Sequence, residues 1–202
     1  MTQVAPGHLA LLVGICALWG FNIIAIKAGV DRLQPIFLSF LRFAVVAVAL
    51  LPWLRLERGR MPWLLLASVC SGGLQFGLMY AGIAQSGSMS AVAIAGQLGV
   101  PFTTLLSILL LGEKVRWRRW TGIALSFFGV LLIGFNPAVL DSVFGLSLVV
   151  LAALAGALGL VAVKRAVGVG ALELQAWFAW TSVPVLGACS LLLEEGQWQG
   201  LL

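Results

Sequence analysis

Few side chains in this 202-residue chain are equipped for chemistry, and most of those stand inside long apolar runs. Trp19 and Asn22 lie three residues apart and would share one helical face. Arg42 is the one charge well inside such a run, and Gln75 and Tyr80 follow in the next. Ser90, Gln97, Pro101, Thr104 and Ser107, at offsets of 7, 4, 3 and 3, predict one helical stripe, and Trp177, Thr181 and Pro184 predict another. A polar group in hydrocarbon is costly unless it meets a partner, a cavity or water, so each of these residues needs a role. What they offer is recognition: hydrogen bonding, aromatic contact and a fixed cation. Serine hydrolysis needs a base beside its nucleophile and aspartyl hydrolysis needs paired carboxylates. Here His8 stands at the entry of the first run and Glu113 at the end of the fourth, beside Lys114. The expectation is that no Asp, Glu or His lies inside a span, which argues against an intramembrane enzyme and against a carboxylate proton relay.

Each candidate has a packing role beside its functional one. Trp19 and Asn22 form part of a cavity wall, or Asn22 bonds a neighbouring helix while Trp19 fills space. Gln97 orients a polar substrate group, aided by its own carbonyl, which Pro101 deprives of its usual donor; the alternative is a kink in which Thr104 or water satisfies that carbonyl. Gln75 and Tyr80 share a helix with Gly73, Gly77 and Ala81, small residues every fourth position that suit close packing. Arg42 lies about eight residues from the outer end of its run, roughly 12 Å at 1.5 Å per residue. Burying its charge at mid-bilayer costs about 2.5–3.5 kcal/mol, which snorkelling toward the interface, joined by Ser39, would reduce. The other role for Arg42 is a cationic site for a substrate carboxylate. Trp177 fits an aromatic lid, and Trp180 an interface anchor.

The elements that must position these residues follow from composition. The chain is 61% apolar and 9% charged, with a formal net charge of +5, against about 45–50% and about 25% in soluble domains. Its charges sit between apolar blocks: after Arg60 none occurs until Glu113. Nucleic-acid binding would need basic side chains clustered on a solvated face. The apolar runs predict an all-α polytopic membrane helix bundle with seven transmembrane helices, over 8–27, 34–54, 62–84, 89–111, 118–135, 143–163 and 172–193. Pro35 and Pro62 open helices, and Gln85-Ser86-Gly87-Ser88 divides the long uncharged run. The first run lacks a basic leader and a small-residue cleavage pattern, so it reads as a retained helix. Cys16, Cys70 and Cys189 lack metal or redox spacing and read as inert packing residues. Arg55, Arg58, Arg60, Lys114, Arg116, Arg118, Arg119, Lys164 and Arg165 fall on the side of the N-terminus, and only Lys27 and Arg32 on the other. That bias predicts a cytoplasmic N-terminus and disfavours a dual-topology dimer. Trp53, Trp63, Trp117 and Trp120 flank cytoplasmic helix ends, where indoles favour the headgroup layer.

Displaced by 137 residues, the first span overlies the sixth, with Leu9, Leu11, Val13, Ala25, Lys27 and Val30 meeting identical residues. Five helices separate the copies, so the second runs in the opposite direction, an arrangement common in secondary transporters. Trp19-Gly20-Phe21-Asn22 with Lys27, Leu41-Arg42-Phe43, Pro101-Phe102-Thr103, Leu111-Gly112-Glu113-Lys114, and Gly122 with Gly129-Val130-Leu131 resemble the EamA domain of the drug/metabolite transporter (DMT) superfamily. Gln75-Phe76 and Ala95-Gly96-Gln97 look closest to its amino-acid metabolite exporters. The resemblance implies an inverted-repeat fold cut short of the usual ten helices: residues 1–137 as the first five-helix repeat and 138–202 as the start of the second. It implies a secondary transporter in the cell (inner) membrane, exporting small amphipathic, amino-acid-like metabolites by alternating access. Trp19, Asn22, Gln75, Tyr80, Gln97, Pro101, Thr104 and Trp177 are its substrate-cavity candidates, and Arg42 is structural or binds a substrate carboxylate. Its partners are the lipid bilayer and a small-molecule substrate, without cofactor, metal or nucleic acid; a homo-oligomer is neither required nor excluded. The competing function is a non-transporting truncated fragment or membrane scaffold.

Overall fold

Breakers at the ends of the apolar runs determine where each helix starts and stops. The computed structural model describes residues 6–56, 59–134, 143–166 and 168–195, and every regular element among them is helical. Helix α1 spans Pro6–Val30 and α2 Pro35–Ala49. The third span is continuous but changes pitch: α3 (Met61–Ser68), a π-helical segment (Val69–Leu74) and α4 (Gln75–Ala84). The fourth is broken into α5 (Met89–Gly96) and α6 (Gly99–Leu111). Then follow α7 (Trp117–Gly134), α8 (Val143–Arg165) and α9 (Ala171–Leu193). The Ser88 side chain caps α5 by accepting from the Ala91 amide at 3.3 Å. Gly112 ends α6 in the left-handed conformation, φ 68°, where a side chain would be strained.

All seven expected spans coincide with helices, five of them long and apolar enough to cross a bilayer unaided. The second is shorter than the expected 34–54. Pro52 lacks the amide that would extend α2, so the chain tightens into a 3₁₀ turn at Leu51–Trp53. The protein is a multi-pass membrane helix bundle.

Helix α8 lies at the centre, packed against α3, the π segment, α4, α5 and α6, while α9 packs against α2, α3 and the π segment. Small residues allow this approach. A Cβ on Gly159 would collide with the Ala67 carbonyl and the Ser71 amide, each 2.8 Å away, and one on Gly145 would meet the Gln85 backbone at the same distance. The wider π turn lets one span serve two neighbours: Ser71 and Gln75 face α8, whereas Gly72, Gly73 and Gly77 face Ser182, Val185 and Leu186 of α9. Helix α1 stands at the periphery against α2 and α4, with Ile26 as its one buried residue among those described. Helix α7 leans on α5 and α6, in part through the Phe102–Phe127 edge contact.

Most of the described basic residues gather at one end of the bundle. Arg55, Arg60, Lys164 and Arg165 meet at one end, where the Trp177 indole donates to the Arg55 carbonyl at 2.9 Å and Arg60 lies against Gly168. At the opposite end Glu194, just beyond α9, receives the Ile36 and Phe37 amides at 2.7 and 2.9 Å.

Candidate substrate site

Phe76 and Tyr80, four residues apart on α4, present one face to α2. Arg42, midway along the 15-residue α2, reaches that face. Its Nη1 donates to Tyr80 Oη at 3.2 Å, and the guanidinium carbon lies 4.9 Å from the Phe76 ring centroid and 6.0 Å from that of Phe43. Phe43 meets Phe76 edge-on at 5.0 Å, which holds the platform in place. Arg42 is exposed along much of its side chain, and its guanidinium is anchored on α4 by a phenol and an aromatic face. The expected Ser39 contact is absent. Ser39 is fully buried and its hydroxyl has no partner, because its side of α2 is the packed side. Arg42 carries five N–H donors and one is engaged by this bond. A planar anion could be held bidentately by those that remain, with an apolar body resting on Phe76 and Phe43.

The other candidates do not converge on this cluster. Trp19 is 69% exposed and Asn22 is exposed on the same bare face of α1. Gln75 turns toward α8, where its amide fills the place a Cβ on Gly156 would take. Tyr80, only 2% exposed, does join Arg42. The single stripe expected through the fourth span is divided: Ser90 and Gln97 are exposed whereas Pro101 and Ser107 are buried, because the helix breaks after Gly96. The Gln97 carbonyl is not left for substrate either. The chain tightens ahead of Pro101, and the Val100 amide donates to it at 3.1 Å. Thr104 bonds back to the Val100 carbonyl at 3.1 Å. Trp177 and Trp180 both donate to main-chain carbonyls near the basic end, of Arg55 and Ala47 respectively.

Several polar contacts escaped sequence reasoning. Glu194 caps α2 from 158 residues away, next to a proline that supplies no amide, and Ser190 donates to the same carboxylate at 2.8 Å. Lys164 bridges Glu113 Oε1 at 2.8 Å and Ser107 Oγ at 2.9 Å. The signal for that bridge was present in the repeated lysine and in the acid after Gly112, although neither names the other. The expectation of spans without carboxylates is corrected by Glu173, in the first turn of α9, where an acid suits the helix dipole. One of its carboxylate oxygens is buried without a partner. The cysteines are also unlike one another: Cys70 is buried, Cys189 half-buried and Cys16 exposed on α1. Among the described residues no group of His, Cys, Asp and Glu could hold a metal ion.

Residues 6–135, from α1 through the end of α7, match the model of the EamA-like transporter family. The chain belongs to that family. Among curated EamA-type relatives, it is 30% identical over 127 residues to a "Probable amino-acid metabolite efflux pump" of Escherichia coli K12, covering 63% of this chain and 42% of that protein. It is 31% identical over 144 residues to the "Uncharacterized inner membrane transporter YhbE" of the same strain, covering 66% and 43%. The "Uncharacterized inner membrane transporter YedA" of the same strain is 27% identical over 153 residues, covering 73% of this chain and 50% of that protein. The chain thus spans about half the length of the curated relatives it matches. No solved structure matches it.

Proposed function

We propose that this EamA-family chain carries small amphipathic, amino-acid-like metabolites outward across the inner membrane, with the substrate carboxylate on Arg42 and its apolar part on Phe76 and Phe43. The observation that carries this reading is the Arg42 guanidinium, exposed on the flank of α2 but anchored there by Tyr80 and Phe76, with no carboxylate bonded to it among the described residues. In this reading residues 1–137 form one five-helix repeat and 138–202 open a second, inverted one, with the N-terminus in the cytoplasm. The names of the relatives and the bias of Lys and Arg toward one end of the bundle support it. Binding of radiolabelled phenylalanine to the purified chain in nanodiscs tests the site. Losing a hydrogen bond to a charge costs about 1.5–3 kcal/mol, so Arg42→Met should weaken binding roughly 10- to 100-fold. Equal binding by folded Arg42→Met overturns the assignment. A membrane scaffold without transport is the second reading, favoured by the bare flank of α1. Under it, cells expressing the chain export no phenylalanine or related amphipathic amino acid faster than controls.

A further inference from the structure

The third span begins at the basic end of the bundle and α8 finishes there, so the two run antiparallel and their facing residues meet in tiers. Beside the end of α6, a groove of about 210 Å³ follows that seam. Its tiers are Cys70 with Leu158, Leu66 with Ala162, and Trp63 with Arg165, spread over seven residues of helix or roughly 10 Å. Cys70 and Ala162 are buried and form the floor, whereas Leu66, Leu158 and Leu110 of α6 are exposed and stand as rims. The groove is therefore a recess in the outer apolar surface, open along its side to hydrocarbon. Its charged end is built differently. Arg165 donates to the Leu110 carbonyl at 3.0 Å and lays its guanidinium 4.9 Å from the Trp63 ring centroid. One of its five N–H donors is used by that bond, and the residue is exposed. Arg60, one turn before Trp63, lies against Gly168 and adds a second cation. Glu113, at the end of α6, is engaged by Lys164 at 2.8 Å, and no Asp or Glu is among the described residues that line the groove.

We propose that this groove binds one anionic phospholipid, with an acyl chain along Leu66, Leu110 and Leu158 and the headgroup phosphate on Arg165, in the field of Arg60. The inference stands on the membrane bundle alone and holds whether or not the chain transports. The open side admits an acyl chain from the bilayer and offers a water-soluble solute only hydrocarbon. An indole favours the headgroup layer, so Trp63 sets the level at which a phosphate meets the guanidinium stacked on it. A guanidinium already fixed by a ring and a carbonyl suits the planar, paired contacts that phosphate oxygens make. Basic pockets between transmembrane helices bind anionic headgroups on the same grounds. The lipid would touch both parts of the chain, since the third span and α6 precede residues 135–142 and α8 follows them.

Native mass spectrometry of the chain, released from nanodiscs holding equal amounts of phosphatidylglycerol and phosphatidylcholine with the same acyl chains, reads which lipid stays on. The wild-type chain should retain phosphatidylglycerol in preference. Arg165→Gln should lower that preference about fivefold, the worth of one basic side chain beside an anionic headgroup. Arg165→Lys should keep most of it, because the charge remains. Arg118→Gln, at the start of α7 and outside the groove, should leave it unchanged. Leu66→Ala combined with Leu158→Ala, at exposed positions, should reduce the retention of both lipids by lowering the rims. The site is overturned if the wild-type chain retains the two lipids equally, or if Arg118→Gln acts as strongly as Arg165→Gln, which would mean diffuse surface charge. It is also overturned if the leucine variant retains lipid as well as the wild type does, or if millimolar glycerol 3-phosphate displaces phosphatidylglycerol, which would mean a site for a free anion without an acyl chain.

Discussion

Helices α1 and α8 carry matching residues at matching places and meet opposite fates. Leu9 is 59% exposed, whereas Leu146, which it overlies in the proposed repeat, is 9% exposed. Ala25 is exposed and Ala162 buried. Lys27 pairs within its own turn, with Asp31 at 2.7 Å, while Lys164 reaches across to α6. Nothing in either helix's hydropathy accounts for this, since both are long enough and apolar enough to span. The difference lies in the neighbours. Helix α8 is packed along its length against the whole third span (α3, the π segment and α4) and the fourth (α5 and α6), whereas α1 packs mainly against α2 and α4 at one flank. An apolar helix thus carries its membrane address in itself and its packing only in its partners.

That contrast is open to attack from its glycines, where the largest effect is expected. Gly159→Ala should unfold or misassemble the bundle, because backbone atoms of α3 and the π segment 2.8 Å away cannot retreat as a flexible side chain would. Gly20→Ala has open space around it and should be neutral, or more stable by up to about 1 kcal/mol from helix propensity. Unfolding in detergent–denaturant titrations checks both, and equal responses would erase the distinction between the helices. A smaller effect is expected from the paired lysines. Lys164→Met should cost up to about 1 kcal/mol in the same titration, and Lys27→Met, an exposed pair within one helix, about 0.3–0.5 kcal/mol. A larger loss at Lys27 would reveal a partner for α1 beyond the helices described. The smallest effect belongs to the polar face of α1. Asn22→Leu and Trp19→Leu should change stability by less than about 0.5 kcal/mol, since neither residue is packed.

How far the site could be read in advance depends on how local each contact is. Arg42 stood out because a lone charge in an apolar run is rare and expensive. Tyr80 stood out as a polar tip on an apolar helix. That the two meet is a contact between residues 38 apart, set by the crossing of α2 over α4. The stripe of Gln97 failed for a local reason that periodicity misses: it assumed an unbroken helix through Gly96 and Pro101, and the chain tightened instead. The Gly73 and Gly77 series was legible as a packing face, although its partner, α9, was not.

The run lengths, their breakers and the placement of lysine and arginine are one-dimensional quantities. Because hydrocarbon demands a helix wherever about 20 apolar residues must cross it, they alone determined an all-helical, seven-span membrane chain. The motifs around Asn22, Arg42, Pro101 and Glu113 added the family, which the match over residues 6–135 bears out. Tertiary structure decided everything that needs two spans at once: the central position of α8, the Arg42–Tyr80 pair, the capping of α2 by Glu194 and the Lys164–Glu113 ion pair between α8 and the end of α6. The reason is that lipid and protein are equally apolar surroundings for a leucine. Hydropathy therefore cannot say which face of a helix meets which, and the choice falls to small-residue fit and a few long polar side chains.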